Sequence, residues 1–244
     1  MENKKIVVGN LKSTMNIEDV SKYLQVINKE IASKEVIICP SSIYIPYFLK
    51  KNYQVGLQNI FLDEGGPYTG EITPTQAVSL EIKYAIVGHS ERRIHLNETD
   101  EIINKKIVAA INKNMYVILC IGETLEEKEM LRTDMVIRRQ LVNALNGLSI
   151  DMLYNVIIAY EPVWAIGTNN IPSIKEIEKT VEYIKNVVKQ ISGYEDIKVL
   201  YGGSVNEHNV KELNKINNIS GFLVGGASTK ADSFLKIIDE VIQK

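Results

Sequence analysis

Cysteine and histidine are scarce in this sequence. The 244 residues include two cysteines and three histidines, so few metal-ligating side chains are available. Cys39 and Cys120 lie far apart and form no C-x-x-C pattern, which indicates reduced thiols and not a disulfide or a zinc site. His89, His95 and His208 also lack metal-ligand spacing. The sequence therefore predicts no metal centre.

No charge of one sign dominates, and no long apolar run is present. The formal net charge is −2, which gives no support for a nucleic-acid or membrane partner. No apolar run approaches the ~20 residues that cross a bilayer, and the N-terminal "MENKKIVVGN" has no apolar signal core. We expect a cytoplasmic protein that binds neither nucleic acid nor membrane.

Linkers rich in proline, glycine or serine are missing as well, so we expect a single domain over residues 1–244. Nearly continuous apolar segments recur instead, as expected for strands that are covered on both faces. The eight segments are "KIVVGN", "EVIICP", "QVGLQN", "YAIVGH", "YVILCI", "NVIIAYE", "KVLYGG" and "GFLVGG". Amphipathic stretches lie between them, and Ser173 with Glu176 forms a capping-box pattern before one. This alternation predicts an α/β fold, a (β/α)₈ barrel, with a doubly wound open sheet as the alternative.

In such a barrel the chemistry lies at the carboxyl ends of the strands. Glu161 follows the sixth segment in "AYEPVWAIGT", and an unpaired acid beside an apolar strand needs a partner or a function. Pro162 restricts Glu161 to an extended backbone. The loop then carries Trp164 and Ile166 into expected solvent, which suggests a lid that closes over a general base. A salt bridge at the strand end is the structural alternative.

His89 follows the fourth segment in "VGHSERR". We expect a short helix to begin here, and its N-terminus disfavours protonation of a nearby imidazole. A neutral His89 could exchange a proton with a carbonyl oxygen, although a purely structural histidine is the commoner case. Ser90 lacks the second glycine of a nucleophile elbow and is a poor hydrolase candidate.

Asn10 and Lys12 follow the first segment in "VVGNLKST". If the chain stays extended there, both side chains point the same way and offer a donor and a cation to an anionic substrate. A surface lysine is the alternative. Glu91 could pair with Lys12, whereas Arg92 and Arg93 are assigned to interfaces or surface ion pairs.

Glycine-rich turns follow the last two segments. "YGGS" and "VGGAS" stand where many barrels bind phosphate through backbone N–H groups. One glycine pair would be an ordinary turn, but two pairs at these strands favour phosphate. No P-loop and no G-x-G-x-x-G is present, so no nucleotide cofactor is indicated.

Five motifs in this order, "VGHSERR", "ILCIGE", "AYEPVWAIGT", "YGGSV" and "VGGAS", closely resemble the triosephosphate isomerase family over essentially the whole chain. The resemblance implies the cofactor-free interconversion of dihydroxyacetone phosphate and D-glyceraldehyde 3-phosphate through an enediolate, within glycolysis and gluconeogenesis. It implies four catalytic residues, namely Glu161 as base, His89 as neutral electrophile, and Asn10 and Lys12 as oxyanion stabilisers.

The same resemblance implies further roles. The phosphate would be held by the backbone N–H groups of Gly167, Ser204, Gly225 and Gly226 as a lid over residues 162–172 closes. Cys120 would lie beside the base, and Trp164 would hydrogen-bond to Glu123 when the lid is open. Glu91 and Tyr201 are the other supporting residues.

The family is usually dimeric, and its third loop inserts into the partner. Residues 60–71 occupy the equivalent place, where Thr69 and Glu71 fit the pattern and Pro67 departs from it. We expect a homodimer, and a tetramer stays open.

Two departures stand out. Leu11 stands where members of the family commonly have a tryptophan. The second departure lies at the end of the lid, where the family often has G-K-T-A and this chain has Asn169, Asn170, Ile171 and Pro172. In the family, the N–H of that alanine is the closed-state partner of the tyrosine equivalent to Tyr201. Proline has no N–H, so we hypothesise that Tyr201 finds another partner, at Asn170 or Ser173.

Two other classes compete with this interpretation. A barrel that makes or breaks carbon–carbon bonds would normally carry a Schiff-base lysine or more acids at the mouth. A noncatalytic phosphate-sensing or surface-interaction protein would not need Glu161 and His89 together.

Overall fold

A computed structural model describes residues 4–168 and 170–242. Its strands form a closed barrel in the order β1 to β8, and every pairing between neighbours is parallel. The strands are β1 Ile6–Asn10, β2 Val36–Cys39, β3 Gln54–Leu57, β4 Tyr84–Val87, β5 Tyr116–Ile121, β6 Val156–Tyr160, β7 Lys198–Tyr201 and β8 Gly221–Val224. The predicted (β/α)₈ barrel is confirmed, and the doubly wound alternative is wrong.

Helices cover the outside of the barrel. The α-helices of the described residues are α1 Ile17–Glu30, α2 Ile45–Phe48, α3 Pro74–Ser79, α4 Ser90–His95, α5 Asp100–Ile111, α6 Leu125–Glu129, α7 Thr133–Ala144, α8 Ile150–Leu153, α9 Ile174–Ser192, α10 Val210–Leu213 and α11 Ala231–Ile242. In the same part of the chain, short 3₁₀ helices span Ser42–Tyr44, Val163–Ala165 and Gly226–Thr229. The predicted capping box of Ser173 and Glu176 is present at the start of α9. No described helix is long and apolar enough to cross a membrane.

The hydrophobic core has two layers. Inside the barrel lies a small cluster that includes Val8, Ile118 and Leu200, and a larger cluster fills the space between the barrel and the helices. Side chains from one strand therefore enter both layers, which explains why the strand segments are continuously apolar. The inner cluster also contains Cys120. Cys120 lies inside β5, one residue before the end of the strand.

Candidate active site

The carboxyl ends of the strands enclose a cavity of about 460 Å³. Its lining includes all eight residues predicted to contact substrate, which are Asn10, Lys12, His89, Glu161, Gly167, Ser204, Gly225 and Gly226. These residues come from the ends of five different strands. Barrel closure is therefore what brings them together.

Glu161 is buried at the floor of this cavity. It lies one residue beyond β6, and its N–H donates to the carbonyl oxygen of Ile121 at 2.7 Å. The side chain is 2% exposed, and Oε2 accepts the N–H of Ser90 at 3.2 Å. Oε1 lies 3.2 Å from Nε2 of His89. Two donors that follow β4, the N–H of Ser90 and Nε2 of His89, thus partner the buried acid.

His89 caps the N-terminus of α4. Its Nδ1 accepts the N–H of Glu91 at 3.3 Å, so this nitrogen carries no proton. Nε2 then carries the proton of the neutral imidazole and faces Glu161. The first N–H groups of one short helix therefore orient both the acid and the imidazole.

Asn10 and Lys12 both line the cavity, but the backbone conformation that places them there differs from the predicted one. The chain does not stay extended, because Lys12 has φ 51 in the left-handed region, which costs a non-glycine residue roughly 1–3 kcal/mol. The Lys12 N–H donates to Oδ1 of Asn10 at 3.0 Å, and Gln58 Nε2 donates to the Lys12 carbonyl at 2.7 Å. These hydrogen bonds hold the strained turn and keep the ammonium group in the mouth of the barrel.

Glu91 pairs with this ammonium group. The Lys12 Nζ lies 2.5 Å from Glu91 Oε1. Partial burial of Glu91 opposes ionisation, but the hydrogen bond and charge of Lys12 outweigh burial and lower the pKa of the carboxyl below its usual value. The pair fixes the cation beside the substrate space.

Backbone N–H groups line the opposite wall. Ser204 follows β7, and Gly225 immediately precedes the 3₁₀ helix Gly226–Thr229. Among the described residues, the N–H groups of Ser204 and Gly225 donate to no protein acceptor. A Cβ on Gly225 would lie 3.5 Å from Lys12 Cε, so the lysine side chain passes directly beside this turn. Unpaired N–H groups next to a cation are an arrangement that can bind an anion.

The loop after Glu161 is anchored by its tryptophan. Trp164 Nε1 donates to Glu123 Oε1 at 2.8 Å, and Lys128 Nζ lies 3.3 Å from the ring centroid. Trp164 and Ile166 are partly buried, so each is less exposed than expected for a loop in solvent. The Trp164–Glu123 hydrogen bond is the pairing that the family resemblance implied for an open lid.

Pro172 ends the lid segment, and Tyr201 ends β7. The Tyr201 side chain is fully buried, and its hydroxyl has no hydrogen-bond partner among the described residues. Pro172 is buried, and Ser173 Oγ donates to Glu176 Oε2 at 2.7 Å. Of the two partners hypothesised for Tyr201, Ser173 is therefore engaged in the helix cap in this conformation.

Cys120 lies beneath the acid. Burial raises the pKa of its thiol well above the usual value, and the adjacent Glu161 carboxylate adds to the effect. Cys120 thus lies beside Glu161, as the resemblance implied, and stays in its neutral form.

Arg93 has a role that the sequence did not predict. Its guanidinium donates to the carbonyl oxygens of Gly88 at 2.8 Å and Cys120 at 3.1 Å, and pairs with Asp100 at 2.6 Å. Arg93 therefore does more than form an ion pair, because it also braces the ends of β4 and β5 under the site. Arg92 instead pairs with buried Glu98 at 2.6 Å. Nothing in "SERR" distinguishes these two arginines, since their partners lie on other elements.

The closed parallel barrel, with an acid, an imidazole and a cation at its mouth, defines a class of enzymes that transfer protons on anionic substrates. A family model described as "Triosephosphate isomerase" matches residues 5–241. The chain is 39% identical to the triosephosphate isomerase of Alkaliphilus oremlandii, with 97% of this chain and 99% of the relative covered. It is 38% identical to that of Clostridium tetani, with 97% and 96% covered, and 37% identical to that of Thermoanaerobacter pseudethanolicus, with 96% and 98% covered. The chain belongs to the triosephosphate isomerase family and is an isomerase of triose phosphates.

Proposed function

We propose that Glu161, His89, Lys12 and Asn10 carry the interconversion of dihydroxyacetone phosphate and D-glyceraldehyde 3-phosphate. In this reaction a proton leaves the carbon next to the carbonyl, an enediolate forms, and a proton returns to the neighbouring carbon. No electrons are gained or lost overall. The reaction therefore needs a base, a proton donor for the oxygens and a site for the phosphate.

Glu161 is the base of the proposal, and its carboxylate moves the carbon-bound proton. His89, in its neutral form, donates from Nε2 to the substrate oxygen and takes the proton back. Lys12 and Asn10 stabilise the developing negative charge. The observation that carries this assignment is the 3.2 Å approach of Glu161 Oε1 and His89 Nε2 in the cavity that Lys12 also lines.

The phosphate is proposed to bind at the turns after β7 and β8. The N–H groups of Ser204, Gly225 and Gly226 offer donors there, and that of Gly167 joins when the lid closes. Closure excludes water from the enediolate and limits loss of its phosphate.

A coupled assay with D-glyceraldehyde 3-phosphate tests the proposal. Because a general base contributes about 10²- to 10⁴-fold, Glu161→Gln should lower kcat by that order while KM changes little. Glu195→Gln is the matched control, since Glu195 is exposed and pairs only with Lys189 in the described part of the chain. Parental turnover by Glu161→Gln would disprove the assigned base.

The chain is further proposed to act as one barrel domain and as a homodimer through residues 60–71. Residues 65–71 form the exposed tip of this loop, which is braced by contact between the tilted rings of Phe61 and Tyr68, whose centroids are 4.5 Å apart. A cavity of about 540 Å³, lined by Lys12, His89 and Leu96, lies open beside the active site and could receive the partner's loop. The cytoplasmic location and the absence of a cofactor stay predictions.

A further inference from the structure

We propose that Gln140 is a positioning residue for the reaction, because it fixes the backbone that holds both the base and the N-terminal end of the lid. Gln140 lies on α7 and does not line the substrate cavity of about 460 Å³. The inference rests on the proposed role of Glu161. It assigns a function to a buried side chain that the reaction scheme leaves unused.

Both ends of the Gln140 amide bind a single residue. Oε1 accepts the N–H of Gly122 at 2.8 Å, and Nε2 donates to the carbonyl oxygen of Gly122 at 3.1 Å. Gln140 is 5% exposed, so both hydrogen bonds are shielded from water. Because β5 ends at Ile121, Gly122 is the first residue beyond the strand ladder. The Gln140 side chain supplies the hydrogen bonds to its backbone N–H and carbonyl that a neighbouring strand would otherwise supply.

Gly122 is pressed against the base. A Cβ placed on Gly122 would lie 1.8 Å from the carbonyl oxygen of Glu161, so only glycine fits. A shift of the Gly122 peptide in that direction would therefore push the Glu161 backbone. The flanking residues act in the same way, since the carbonyls of Ile121 and Glu123 accept the N–H groups of Glu161 at 2.7 Å and Val163 at 3.0 Å.

The segment 121–123 also anchors the lid. The Glu123 carboxylate accepts the hydrogen bond of Trp164 at 2.8 Å and that of the Tyr160 hydroxyl at 3.3 Å. One short segment thus carries the backbone of Glu161, the first turn of the lid and the tryptophan of the lid. Gln140 is the side chain that holds the middle residue of this segment.

Misplacing a catalytic group by about 1 Å can cost about 10²-fold in rate. We therefore expect Gln140→Leu to lower kcat by about tenfold to a hundredfold, by the same argument. KM should change less than kcat, because the proposed phosphate turns at Ser204 and Gly225 do not contact Gln140. The emission of Trp164, the only tryptophan in the chain, should shift in the free enzyme as its hydrogen bond to Glu123 is displaced.

Gln140→Glu gives a sharper readout because it keeps the shape of the side chain. A protonated carboxyl can donate to the Gly122 carbonyl and accept from its N–H, whereas a carboxylate has no proton to donate. The kcat of this variant should therefore fall with rising pH in a step that the parent lacks. Arg93, Cys120, Glu127, Arg139 and Glu161 face the same small cavity and are unchanged in both proteins, so they do not produce the added step.

Ile137→Ala is the matched control, because Ile137 is a fully buried core residue of the same helix. It should lower the melting temperature but leave kcat, KM and Trp164 emission at parental values. The proposal is overturned if folded Gln140→Leu behaves like this control. Should Gln140→Leu not fold, a Gln140→Glu protein with parental pH profile and emission overturns it equally. An inactive parent would instead count against the proposed function.

Discussion

At the scale of single residues, the site depends on backbone groups as much as on side chains. The N–H of Ser90 holds the Glu161 carboxylate, and the N–H of Glu91 fixes the tautomer of His89. Lys12 occupies a strained left-handed turn so that its ammonium group stands in the cavity. The four proposed catalytic side chains are therefore oriented by their neighbours, and substitutions of those neighbours should be felt in catalysis.

The Lys12–Glu91 pair makes a prediction about stability and pH. The pKa of Glu91 is lowered in the folded state, so the pair stabilises the protein above the pKa of an unfolded glutamate. This stabilisation is lost as pH falls through the folded-state pKa. Glu91→Gln should thus be slightly less stable than the parent at neutral pH, and the two should converge in acid. Urea unfolding at several pH values measures the free energy of unfolding of both proteins. A difference between these free energies that grows as pH falls would contradict the prediction.

At the scale of elements, the two ends of the lid differ in the hydrogen bonds that they can make. Its N-terminal end is fixed by Trp164 and Glu123 to the segment after β5. Its C-terminal residue, Pro172, has no N–H to donate, and the buried hydroxyl of Tyr201 at the end of β7 has no partner among the described residues. Burial of an unpaired hydroxyl costs about 1–3 kcal/mol, so this group gains from any partner that closure supplies.

A double-mutant cycle tests how Tyr201 is used. We expect Tyr201→Phe to lower kcat far less than Glu161→Gln, because residue 172 offers no donor to the hydroxyl. In a Pro172→Ala background an N–H becomes available, so Tyr201→Phe should cost more there than in the parent. Steady-state kinetics of the parent, the two single variants and the double variant give the coupling free energy between residues 172 and 201. If Tyr201→Phe alone is as damaging as Glu161→Gln, the replaceable-partner hypothesis is wrong.

At the scale of the whole molecule, the barrel mouth is larger than the substrate space. The cavity of about 540 Å³ borders Lys12 and His89, but its lining does not include the proposed phosphate-binding turns after β7 and β8. Leu96, which lines this cavity, is 58% exposed, and Ile43, which follows the lining residue Ser42, is 73% exposed. Exposed apolar surface of this kind marks an interaction site, which agrees with the proposed homodimer.

Leu96→Asp should weaken this association. A carboxylate at a buried interface loses solvation without gaining a partner, so the variant should sediment as a smaller species than the parent and lose activity on dilution. Ile150→Asp is the control, because Ile150 is also exposed but lies before β6, at the opposite end of the barrel. Equal sedimentation of the parent and Leu96→Asp would contradict the proposed interface.

Much of this architecture could be predicted from sequence because the signals are local. Continuous apolar runs give strands buried on both faces, and the Ser173–Glu176 cap gives the start of α9. The rule that chemistry lies at the carboxyl ends of barrel strands then selected Glu161 and His89. The roles of Arg93 and Gln140 could not be predicted, because each side chain binds backbone groups of another element. No spacing pattern in the sequence indicates such contacts.

The sequence by itself determined the eight strand–helix units, the family and the residue types at the mouth of the barrel, since each depends on order along the chain. Only the tertiary structure decided the left-handed turn at Lys12, the tautomer of His89 and the partial burial of Trp164. These depend on hydrogen bonds and packing between segments far apart in the chain, which form when the barrel closes.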